Sequence, residues 1–325
     1  MKVVITGGAG FLGKKLAQRL LAEGSLVGPS GKPEKIDELV LFDVVQSPIG
    51  QGDARVTSIA GDIADKAQVD LLIGNDTDSV FHLAGVVSAG AEADFDLGWR
   101  VNLDGTRHVL EACRALPRPA RLVFTSSIAV YGGALPEVVQ DDTVLTPKTS
   151  FGVQKAVIEL LLSDYSRKGF IDGRALRLPT IAIRPGKPNK ASSSFTSSII
   201  REPLNNVKAV CPVTPDMKLW LMSPRQAIEC LIHGHNLGAE AFGQRQVLNL
   251  PGVTVTVRDM VDVLGRIAGE PATRLIRWEP DPAIQRIIHT WPTRWDMSRA
   301  HMLGFKGDPD FESIVRAFIK DDLVG

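Results

Sequence analysis

The feature that most constrains the fold is a glycine-rich loop directly after the first apolar segment. Residues 6–13 read TGGAGFLG, between a strand-like run at Lys2–Thr6 and an amphipathic stretch at Phe11–Glu23. Glycine lets the backbone turn tightly against a pyrophosphate, and the following helix offers its unpaired N–H groups to the anion. This order of strand, loop and helix predicts a dinucleotide site. The residues of the loop predicted to contact the dinucleotide are Gly7, Gly10, Phe11, Leu12 and Gly13.

An acidic residue ends the second predicted strand, Glu38–Asp43. In dinucleotide sites an acid in this place binds the hydroxyls of the adenosine ribose. A carboxylate there repels a 2′-phosphate, so Asp43 favours NAD over NADP. Asp43 lies 30 residues beyond Gly13, where about 20 are usual, and a turn-rich insertion at 28–35 accounts for the excess. Lys15 stands where the phosphate-binding loop of an NTPase needs Ser or Thr for magnesium, which argues against that class.

Composition excludes several other classes. The 325 residues include 37 Lys+Arg and 37 Asp+Glu, so no net charge attracts nucleic acid or an anionic membrane. The three cysteines are scattered without a C-x-x-C pair, and no H-E-x-x-H occurs, so we expect neither a disulfide scaffold nor a metal site. No apolar run approaches the roughly 20 residues of a membrane helix, and the start of the chain does not resemble a signal peptide. We expect a cytoplasmic protein.

The first half of the chain alternates strand-like and helix-like segments, which is typical of a parallel sheet with helices on both faces. The predicted strands are Lys2–Thr6, Glu38–Asp43, Arg55–Ala60, Ser79–Leu83, Arg121–Thr125 and Gly173–Leu178. The predicted helices between them are Phe11–Glu23, Asp65–Ile73, Ala93–Ala115 and Ser150–Lys168. Composition changes after Arg184. We therefore predict a cofactor domain at 1–183, with 218–250 returning to it, and a smaller C-terminal substrate-binding cap at 184–217 and 251–325.

Six motifs, taken in order and spacing, resemble one enzyme family. Besides the glycine loop they are Gly61–Ile63, His82–Gly85, Asn102–Thr106, the stretch Phe124–Gly132 (FTSSIAVYG) with Ser150–Lys155 (SFGVQK), and Arg177–Thr180. Together they resemble the extended short-chain dehydrogenase/reductase superfamily, also called the NAD-dependent epimerase/dehydratase family. The resemblance spans nearly the whole chain. It implies an α/β fold of the Rossmann type, a doubly wound parallel sheet, with NAD as the cofactor.

The resemblance also implies roles for single residues. Ser127 would bind the reacting oxygen of the substrate, and Lys155 would hold the nicotinamide ribose and supply positive charge. Further cofactor contacts would come from Asp62, Ile63, Leu83, Ala84, Gly85, Asn102, Ser126, Leu178 and Pro179. The family's base is the tyrosine of Tyr-x-x-x-Lys, four residues before the lysine and on the same helix face. This chain has Phe151 at that position.

Phenylalanine has no proton to exchange, and the chain has 12 Phe but only 2 Tyr. Tyr165 lies about 21 Å further along the helix at 1.5 Å per residue, and Tyr131 does not act as the base in the family. One explanation is a deliberate Tyr→Phe substitution that keeps the fold and stops turnover, which the intact Ser127 and Lys155 favour. The other is a naturally inactive relative that binds NAD. Phe151 could also be an ordinary apolar helix residue.

The segment Arg177–Leu204 is similar to family members that oxidise the C2 hydroxyl of a four-carbon sugar acid to a 2-oxo acid. Cations and hydroxyls follow the sixth strand, and of these Arg184 and Arg201 suit a carboxylate better than Lys187 or Lys190. The predicted substrate contacts are Ser88, Ser127, Phe151, Thr180, Arg184, Lys187 and Ser194. We therefore expect oxidation of a small-molecule sugar acid.

Two other functions stay open. Nucleotide-sugar epimerases or dehydratases of the family carry an acidic pair that Lys218–Arg225 lacks, which counts against that activity. A non-catalytic NAD-binding regulator is compatible with Phe151. The resemblance further implies a homodimer, paired through the helical segments Ala93–Ala115 and Ser150–Lys168.

Overall fold

The computed structural model describes residues 1–186 and 192–323. The strands are β1 (Lys2–Thr6), β2 (Ser25–Val27), β3 (Pro33–Lys35), β4 (Glu38–Asp43), β5 (Val56–Ala60), β6 (Thr77–His82), β7 (Arg121–Ser127), β8 (Asp172–Leu178), β9 (Thr180–Ile181), β10 (Ala209–Cys211), β11 (Lys218–Met222), β12 (Val247–Asn249), β13 (Val253–Thr256) and β14 (Ile276–Trp278). The helices are α1 (Phe11–Glu23), α2 (Lys66–Leu72), α3 (Ser88–Ala93), α4 (Phe95–Gly98), α5 (Gly105–Arg114), α6 (Ser150–Arg167), α7 (Phe195–Leu204), α8 (Pro224–Asn236), α9 (Ala239–Phe242), α10 (Val257–Ala268), α11 (Glu270–Thr273), α12 (Pro282–Ile288), α13 (Ser298–Met302) and α14 (Phe311–Asp321). A π-helix at Trp99–Asp104 and a 3₁₀ turn at Ile128–Val130 complete the set.

A seven-stranded sheet positions the predicted cofactor residues. Its strand order is β12-β8-β7-β6-β1-β4-β5, and β1 pairs in parallel with both β4 and β6. The chain runs outward from β1 in one direction and then returns to continue in the other, so the order reverses between β1 and β6. Ligands bind outside the carboxyl ends of the strands at such a reversal. The α/β fold with a doubly wound parallel sheet is confirmed.

The local sequence explains the first strand and helix. Val3, Val4 and Ile5 of β1 are all fully buried, as a central strand covered on both faces requires. In α1 the buried residues Gly13, Leu16, Ala17 and Leu20 recur at spacings of three and four, so one face of the helix packs inward. Both elements lie at the predicted residues. The glycine loop is therefore held between two well-packed elements.

The described residues form two compact units. The first consists of residues 1–130, 149–177 and 228–249, and the second of the described residues among 131–148, 178–227 and 250–325. This division differs from the predicted one in three places: residues 131–148 belong to the second unit, the first unit ends at 177 and not at 183, and its returning segment is 228–249 and not 218–250. Strand β12 joins the large sheet, but β11 pairs with β9 in parallel and with β13 in antiparallel orientation inside the second unit. Which unit binds cofactor and which binds substrate stays a prediction.

Helices and short sheets around one apolar core make up the second unit. Its sheets have the orders β13-β11-β9 and β10-β14. The core contains side chains of α7, α10 and α14, among them Ile199, Met260 and Ile314, all fully buried. In the part of the chain that the structure describes, no helix is long and apolar enough to cross a membrane.

Two predicted elements differ from the structure. The single helix predicted at Ala93–Ala115 is divided into α3, α4, the π-helix and α5, because Asp94 caps a new turn by accepting from the Leu97 N–H. The insertion predicted at 28–35 contributes to a two-stranded hairpin of β2 and β3. Lys187 and Lys190 lie outside the described residues.

Candidate functional site

The glycine loop forms a cradle whose shape excludes side chains. Gly7 has φ +73°, and a Cβ there would lie 2.7 Å from the Ala84 nitrogen. A Cβ on Gly13 would lie 2.0 Å from the Gly7 carbonyl oxygen. The N-cap of α1 is Gly10, which has no side chain, so the N–H groups of Phe11, Leu12 and Gly13 can serve an anion. The cradle therefore fits the pyrophosphate of a dinucleotide.

Asp43 contacts this loop from the end of β4. Its Oδ2 accepts from the Ala9 N–H at 3.0 Å, and its Oδ1 accepts from the Val44 N–H at 2.7 Å. The carboxylate is thus held beside the loop, where the sequence predicted a ribose contact. Asp62 is ion-paired with Arg100 at 2.6 Å, and that hydrogen bond lowers the pKa of Asp62. Ile63 is buried beside it.

A fully buried histidine connects three of the predicted cofactor segments. His82 Nδ1 lies 2.6 Å from Thr6 Oγ1, and His82 Nε2 lies 2.8 Å from Thr106 Oγ1. Thr106 donates its single hydroxyl proton to the Asn102 carbonyl at 2.5 Å, so it accepts from Nε2–H. Nδ1 is then the acceptor of the Thr6 hydroxyl. Burial lowers the pKa of His82 to about 3, so the ring is neutral and its tautomer is fixed.

The His82 hydrogen bonds connect the segments that lie beside the glycine loop. Thr6 Oγ1 also accepts from the Ala84 N–H at 3.3 Å, and the Leu83 N–H donates to the Thr6 carbonyl at 3.1 Å. The end of β1, the Leu83–Gly85 segment and the Asn102 backbone are therefore connected through one imidazole. The sequence motif contained His82, but no role was predicted for it.

Asn102 lies on the π-helix and is buried. Its Oδ1 accepts from the Val86 N–H at 2.7 Å, and its Nδ2 donates to the Val86 carbonyl at 3.1 Å and to Gln154 Oε1 at 2.7 Å. A Cβ on Gly85 would lie 2.9 Å from Asn102 Oδ1. The π-helix thus directs the Asn102 side chain to the loop after β6 and to α6. Insertions of this kind into helices are frequent at functional sites.

The catalytic candidates lie at the end of β7 and the start of α6. Ser127 ends β7, and its Oγ accepts from the Ala129 N–H at 3.1 Å. Lys155 Nζ donates to the Thr125 carbonyl at 2.7 Å and lies 5.4 Å from the centroid of the Phe151 ring. Phe151 therefore faces Lys155, as the family's tyrosine is expected to do.

Lys155 is an unusual lysine because it is buried. Its Nζ lies over the Phe124 ring at 4.3 Å from the centroid. Burial lowers the pKa of Lys155 to about 7, and the negative charge of Glu159 opposes this shift. Both protonation states are therefore populated near neutral pH. An ammonium has three donors, and one of them serves Thr125.

The hydroxyls of both tyrosines donate to acceptors within their own units. In the second unit, Tyr131 is 3% exposed and donates its hydroxyl to the Gln140 carbonyl at 3.0 Å. In the first unit, Tyr165 donates its hydroxyl to Glu111. Burial and this hydrogen bond raise the pKa of Tyr165, which is the wrong direction for a base at neutral pH.

The remaining substrate candidates fall in different parts of the chain. Ser88 is the first residue of α3 in the first unit. Leu178, Pro179, Thr180, Arg184 and Ser194 belong to the second unit. Arg184 Nε donates to the Ile181 carbonyl at 3.1 Å, and burial lowers the pKa of its guanidinium. Arg201 pairs with Glu202 at 2.6 Å and donates to the Arg184 carbonyl, so its charge is already compensated.

Besides the role of His82, sequence reasoning missed Glu159 and Gln154. Glu159 is buried and accepts from Ser126 and Arg177, and its position four residues after Lys155 was the available signal. Gln154 is buried beside Asn102, and nothing in the sequence distinguished it. In residues 1–186 and 192–323, no three His, Cys, Asp or Glu side chains are grouped to hold a metal ion.

Comparisons with known proteins find relatives over the whole chain. The model described as the NAD dependent epimerase/dehydratase family matches residues 3–216. D-erythronate dehydrogenase of Cupriavidus necator is 55% identical over 99% of this chain and 98% of its own. The enzyme of the same name from Haemophilus influenzae is 46% identical over 99% and 100%. Among solved structures, a nucleoside-diphosphate-sugar epimerase from Agrobacterium tumefaciens has a TM-score of 0.93 at 44% identity, covering 99% of this chain and 94% of that chain.

Proposed function

The chain belongs to the NAD-dependent epimerase/dehydratase family, and from this premise we propose that it oxidises the C2 hydroxyl of D-erythronate or a closely similar sugar acid. The observation that carries the substrate is the 55% identity to a D-erythronate dehydrogenase over almost the entire length of both chains. The glycine cradle and Asp43 support NAD as the cofactor. When bound, NAD accepts the hydride from C2.

The chain's own residues bind and orient the reactants. The first-turn N–H groups of α1 bind the pyrophosphate, and Asp43 binds the adenosine ribose. Lys155 donates to the nicotinamide ribose with a donor that Thr125 does not use. Ser127 hydrogen-bonds the C2 oxygen and holds it in place for hydride transfer. Each of these contacts is an orienting contact, which can lower the barrier by several kcal/mol when the reacting atoms are aligned.

Removal of the proton from the C2 hydroxyl is the step for which this chain lacks the family's acceptor. Oxidation releases a hydride and a proton, and the family delivers that proton to a phenol at the position of Phe151. The Phe151 ring lies beside Lys155 but carries no acceptor, and the hydroxyls of Tyr131 and Tyr165 donate elsewhere. We therefore propose that turnover is strongly reduced in this chain and that the binding functions are retained.

Arg184 is the proposed partner of the substrate carboxylate. Arg184 is half-buried, and partial removal from water strengthens a bidentate ion pair with a carboxylate. An Arg201 N–H donates to the Arg184 carbonyl and fixes the backbone there. Arg201 is a weaker candidate because Glu202 compensates its charge.

The test is a substrate panel with NAD, monitored by absorbance of the reduced cofactor. The Phe151→Tyr variant is the reporter, because it restores the phenol without removing any contact described above. We expect D-erythronate to give the highest kcat/KM, ahead of its stereoisomers and of three- and five-carbon sugar acids. A panel in which no sugar acid is oxidised, with NAD binding intact, would overturn the proposed substrate class.

A second candidate is supported by the likeness to the nucleoside-diphosphate-sugar epimerase. Conversion of a UDP- or GDP-sugar by the Phe151→Tyr variant, in the absence of sugar-acid oxidation, would favour it. A third candidate, a non-catalytic NAD-binding protein, is supported by Phe151 itself. NAD binding by calorimetry together with an inactive Phe151→Tyr variant across the whole panel would favour that function.

We further propose a homodimer. Phe95 and Trp99 are 56% and 40% exposed with their rings stacked, and Leu160 on α6 is 71% exposed. These apolar side chains lie on the two segments that the resemblance assigns to subunit pairing, and a second copy would cover them. Light scattering should give about twice 35.1 kDa, and Trp99→Glu should lower that mass. A particle of 35.1 kDa at all concentrations would exclude the dimer.

A further inference from the structure

A buried ion pair of Glu159 with Arg177 lies one helical turn from Lys155. Glu159 and Arg177 are 2% and 3% exposed. Glu159 Oε1 accepts from Arg177 Nε at 2.9 Å, and Oε2 accepts from Arg177 Nη2 at 2.7 Å, a bidentate arrangement. Arg177 Nη1 also donates to Asn249 Oδ1 at 3.3 Å. We call Ser126, Glu159, Arg177 and Asn249 the Glu159 network.

Stability alone does not explain this pair. A buried ion pair contributes little net stability, because removing two charges from water costs about as much as their attraction returns. A pair of apolar side chains of similar volume would serve the fold as well. The distinctive effect of the charges is therefore on the groups next to them.

One neighbour is Ser126, a predicted cofactor contact at the end of β7. Its hydroxyl donates to Glu159 Oε1 at 2.5 Å. A serine hydroxyl has one proton, so this bond leaves the Ser126 oxygen with acceptor lone pairs only. Because its proton is donated to Glu159, the Ser126 hydroxyl can accept a hydrogen bond from a ligand but cannot donate one.

The other neighbour is Lys155, one helical turn before Glu159 on the same face of α6. The groups packed around Lys155 are the Phe151 and Phe124 rings, the Thr125 carbonyl and His82. His82 is neutral above about pH 3, because burial lowers its pKa. Glu159 supplies the negative charge that opposes the effect of burial on the pKa of Lys155.

We propose that Glu159 is a positioning residue of the cofactor site, which fixes the Ser126 hydroxyl as an acceptor and keeps Lys155 an ammonium donor. Arg177 acts through Glu159 by holding the carboxylate in place. The proposed use of Lys155 and Ser126 by NAD rests on the function proposed above. The effect of Glu159 on Lys155 does not depend on it and can be measured without cofactor.

The direct experiment is a pH titration of Lys155 by NMR. The full chain is labelled with ¹³C at lysine Cε, and the Lys155 signal is identified by its loss in Lys155→Met. In Glu159→Gln the titration midpoint of Lys155 should fall by about 1 pH unit or more, since a nearby opposite charge shifts a pKa by that order. Glu159→Asp keeps the charge and should retain most of the original midpoint.

Arg177→Met is the matched control that separates electrostatics from packing. It removes the same ion pair and the same bidentate hydrogen bonds. It leaves the negative charge of Glu159 uncompensated, however, so the Lys155 midpoint should rise. If both variants move the midpoint in the same direction, or if Glu159→Gln leaves it unchanged, the network is structural and the proposal is wrong.

Glu159→Gln removes the carboxylate that compensates the buried Arg177 charge, and a change of this kind is strongly destabilising. The double variant Glu159→Gln with Arg177→Met contains neither charge and serves as the second test. Its Lys155 midpoint should also fall, because the negative charge of Glu159 is gone. An unchanged midpoint in the double variant contradicts the proposal.

Calorimetry of NAD binding then separates this inference from the proposed function. If Lys155 and Ser126 hold the cofactor, Glu159→Gln should weaken NAD about tenfold at pH 8, the order of one strong hydrogen bond to a charged group. A shifted Lys155 midpoint with unchanged NAD affinity at pH 8 would leave Glu159 as a regulator of Lys155 and would remove Lys155 from the cofactor site.

Discussion

Similar buried charged residues lie at the two ends of strands β7 and β8, but their hydrogen-bond partners differ. The amino-end cluster consists of Arg121, Asp172, Arg174 and His235, and the carboxyl-end cluster consists of His82, Ser126, Lys155, Glu159 and Arg177. Each cluster contains a buried cation, a carboxylate and a fully buried neutral histidine whose pKa burial lowers to about 3. The two clusters differ in what their donors contact and in whether their cations can lose a proton.

In the amino-end cluster the donors are directed to the protein itself. The Asp172 carboxylate accepts from Arg121 Nε at 3.0 Å and from Arg174 Nη2 at 3.0 Å. Arg121 also donates to the His235 carbonyl at 3.0 Å, and Arg174 donates to the Leu237 carbonyl at 2.6 Å. Both cations are arginines, which stay protonated at any physiological pH. Their contacts fix the end of α8 and the segment after it.

In the carboxyl-end cluster the buried cation next to the proposed site is a lysine. Burial brings the pKa of Lys155 to about 7, so its charge can change, whereas the charge of Arg174 cannot. Arg177 occurs there too, but it serves Glu159. Burial of charge is common to both ends, so the feature that supports a functional role for the carboxyl end is a buried cation whose charge can change near neutral pH.

We expect the largest loss of activity from substitution of Lys155. In the Phe151→Tyr background, Lys155→Met should lower kcat/KM by about 100-fold or more, because it removes a preorganised charged donor. The free energy of unfolding should not fall, since a buried charge is replaced by an apolar side chain. Steady-state kinetics and urea denaturation measure the two quantities. A stability loss without a kinetic loss would make Lys155 structural.

Arg174→Met should do the opposite. We expect the free energy of unfolding to fall by about 3 kcal/mol, because the contacts of a buried cation with Asp172 and with the Leu237 carbonyl are lost. Urea denaturation gives this value, and NAD affinity by calorimetry should stay within about twofold of the original in the folded protein. If Arg174→Met weakened NAD as much as Lys155→Met, the two ends of the strands would not be functionally distinct.

The two buried histidines allow a smaller, matched test. His82→Leu removes the bonds to Thr6 and Thr106 that hold the glycine cradle, and it should weaken NAD about tenfold, the order of 1 to 2 kcal/mol for a lost buried hydrogen bond. His235→Leu removes the bonds to Ser79 and Asn236 at the other end. It should lower stability by a similar amount and leave NAD affinity unchanged. Equal effects on NAD binding would contradict the role given to His82.

The last effect is a change of stability with pH. Lys155 has a pKa near 7 in the folded chain and about 10.4 when unfolded, so the unfolded chain binds more protons between these values. Its contribution to the free energy of unfolding therefore rises with pH over this window, by up to about 1.4 kcal/mol per unit. Urea denaturation at pH 7, 8 and 9 should show this rise, and Lys155→Met should reduce it. Arg174→Met should retain the slope.

The parts of the fold set by local pattern could be predicted from the sequence. Strand β1, helix α1 and the loop between them lie at their predicted residues, because apolar periodicity and glycine spacing act over a few positions. The π-helix could not be predicted, since Asn102 is held by Val86 and Gln154, which are 16 and 52 residues away. Nor does the five-residue pattern of β11 say which strand it will pair with.

The site shows the same division. The family resemblance identified the motif positions of Ser127, Lys155 and Phe151, and the structure brings Phe151 and Lys155 together. The role of Glu159 depends on Ser126, 33 residues before it, and on Arg177, 18 residues after it. The sequence offers only its spacing from Lys155 as a hint. Charge compensation at Arg201 was likewise visible only in three dimensions.

The central proposal is that the carboxyl-end cluster is part of an NAD site and that Phe151 leaves this site without its proton acceptor. The most direct measurement is the rate of NAD reduction with D-erythronate by the chain and by its Phe151→Tyr variant under identical conditions. We predict that Phe151→Tyr is at least about 100-fold faster, the order of general-base catalysis. Equal rates for the two proteins would show that position 151 does not carry the proton and would contradict the claim.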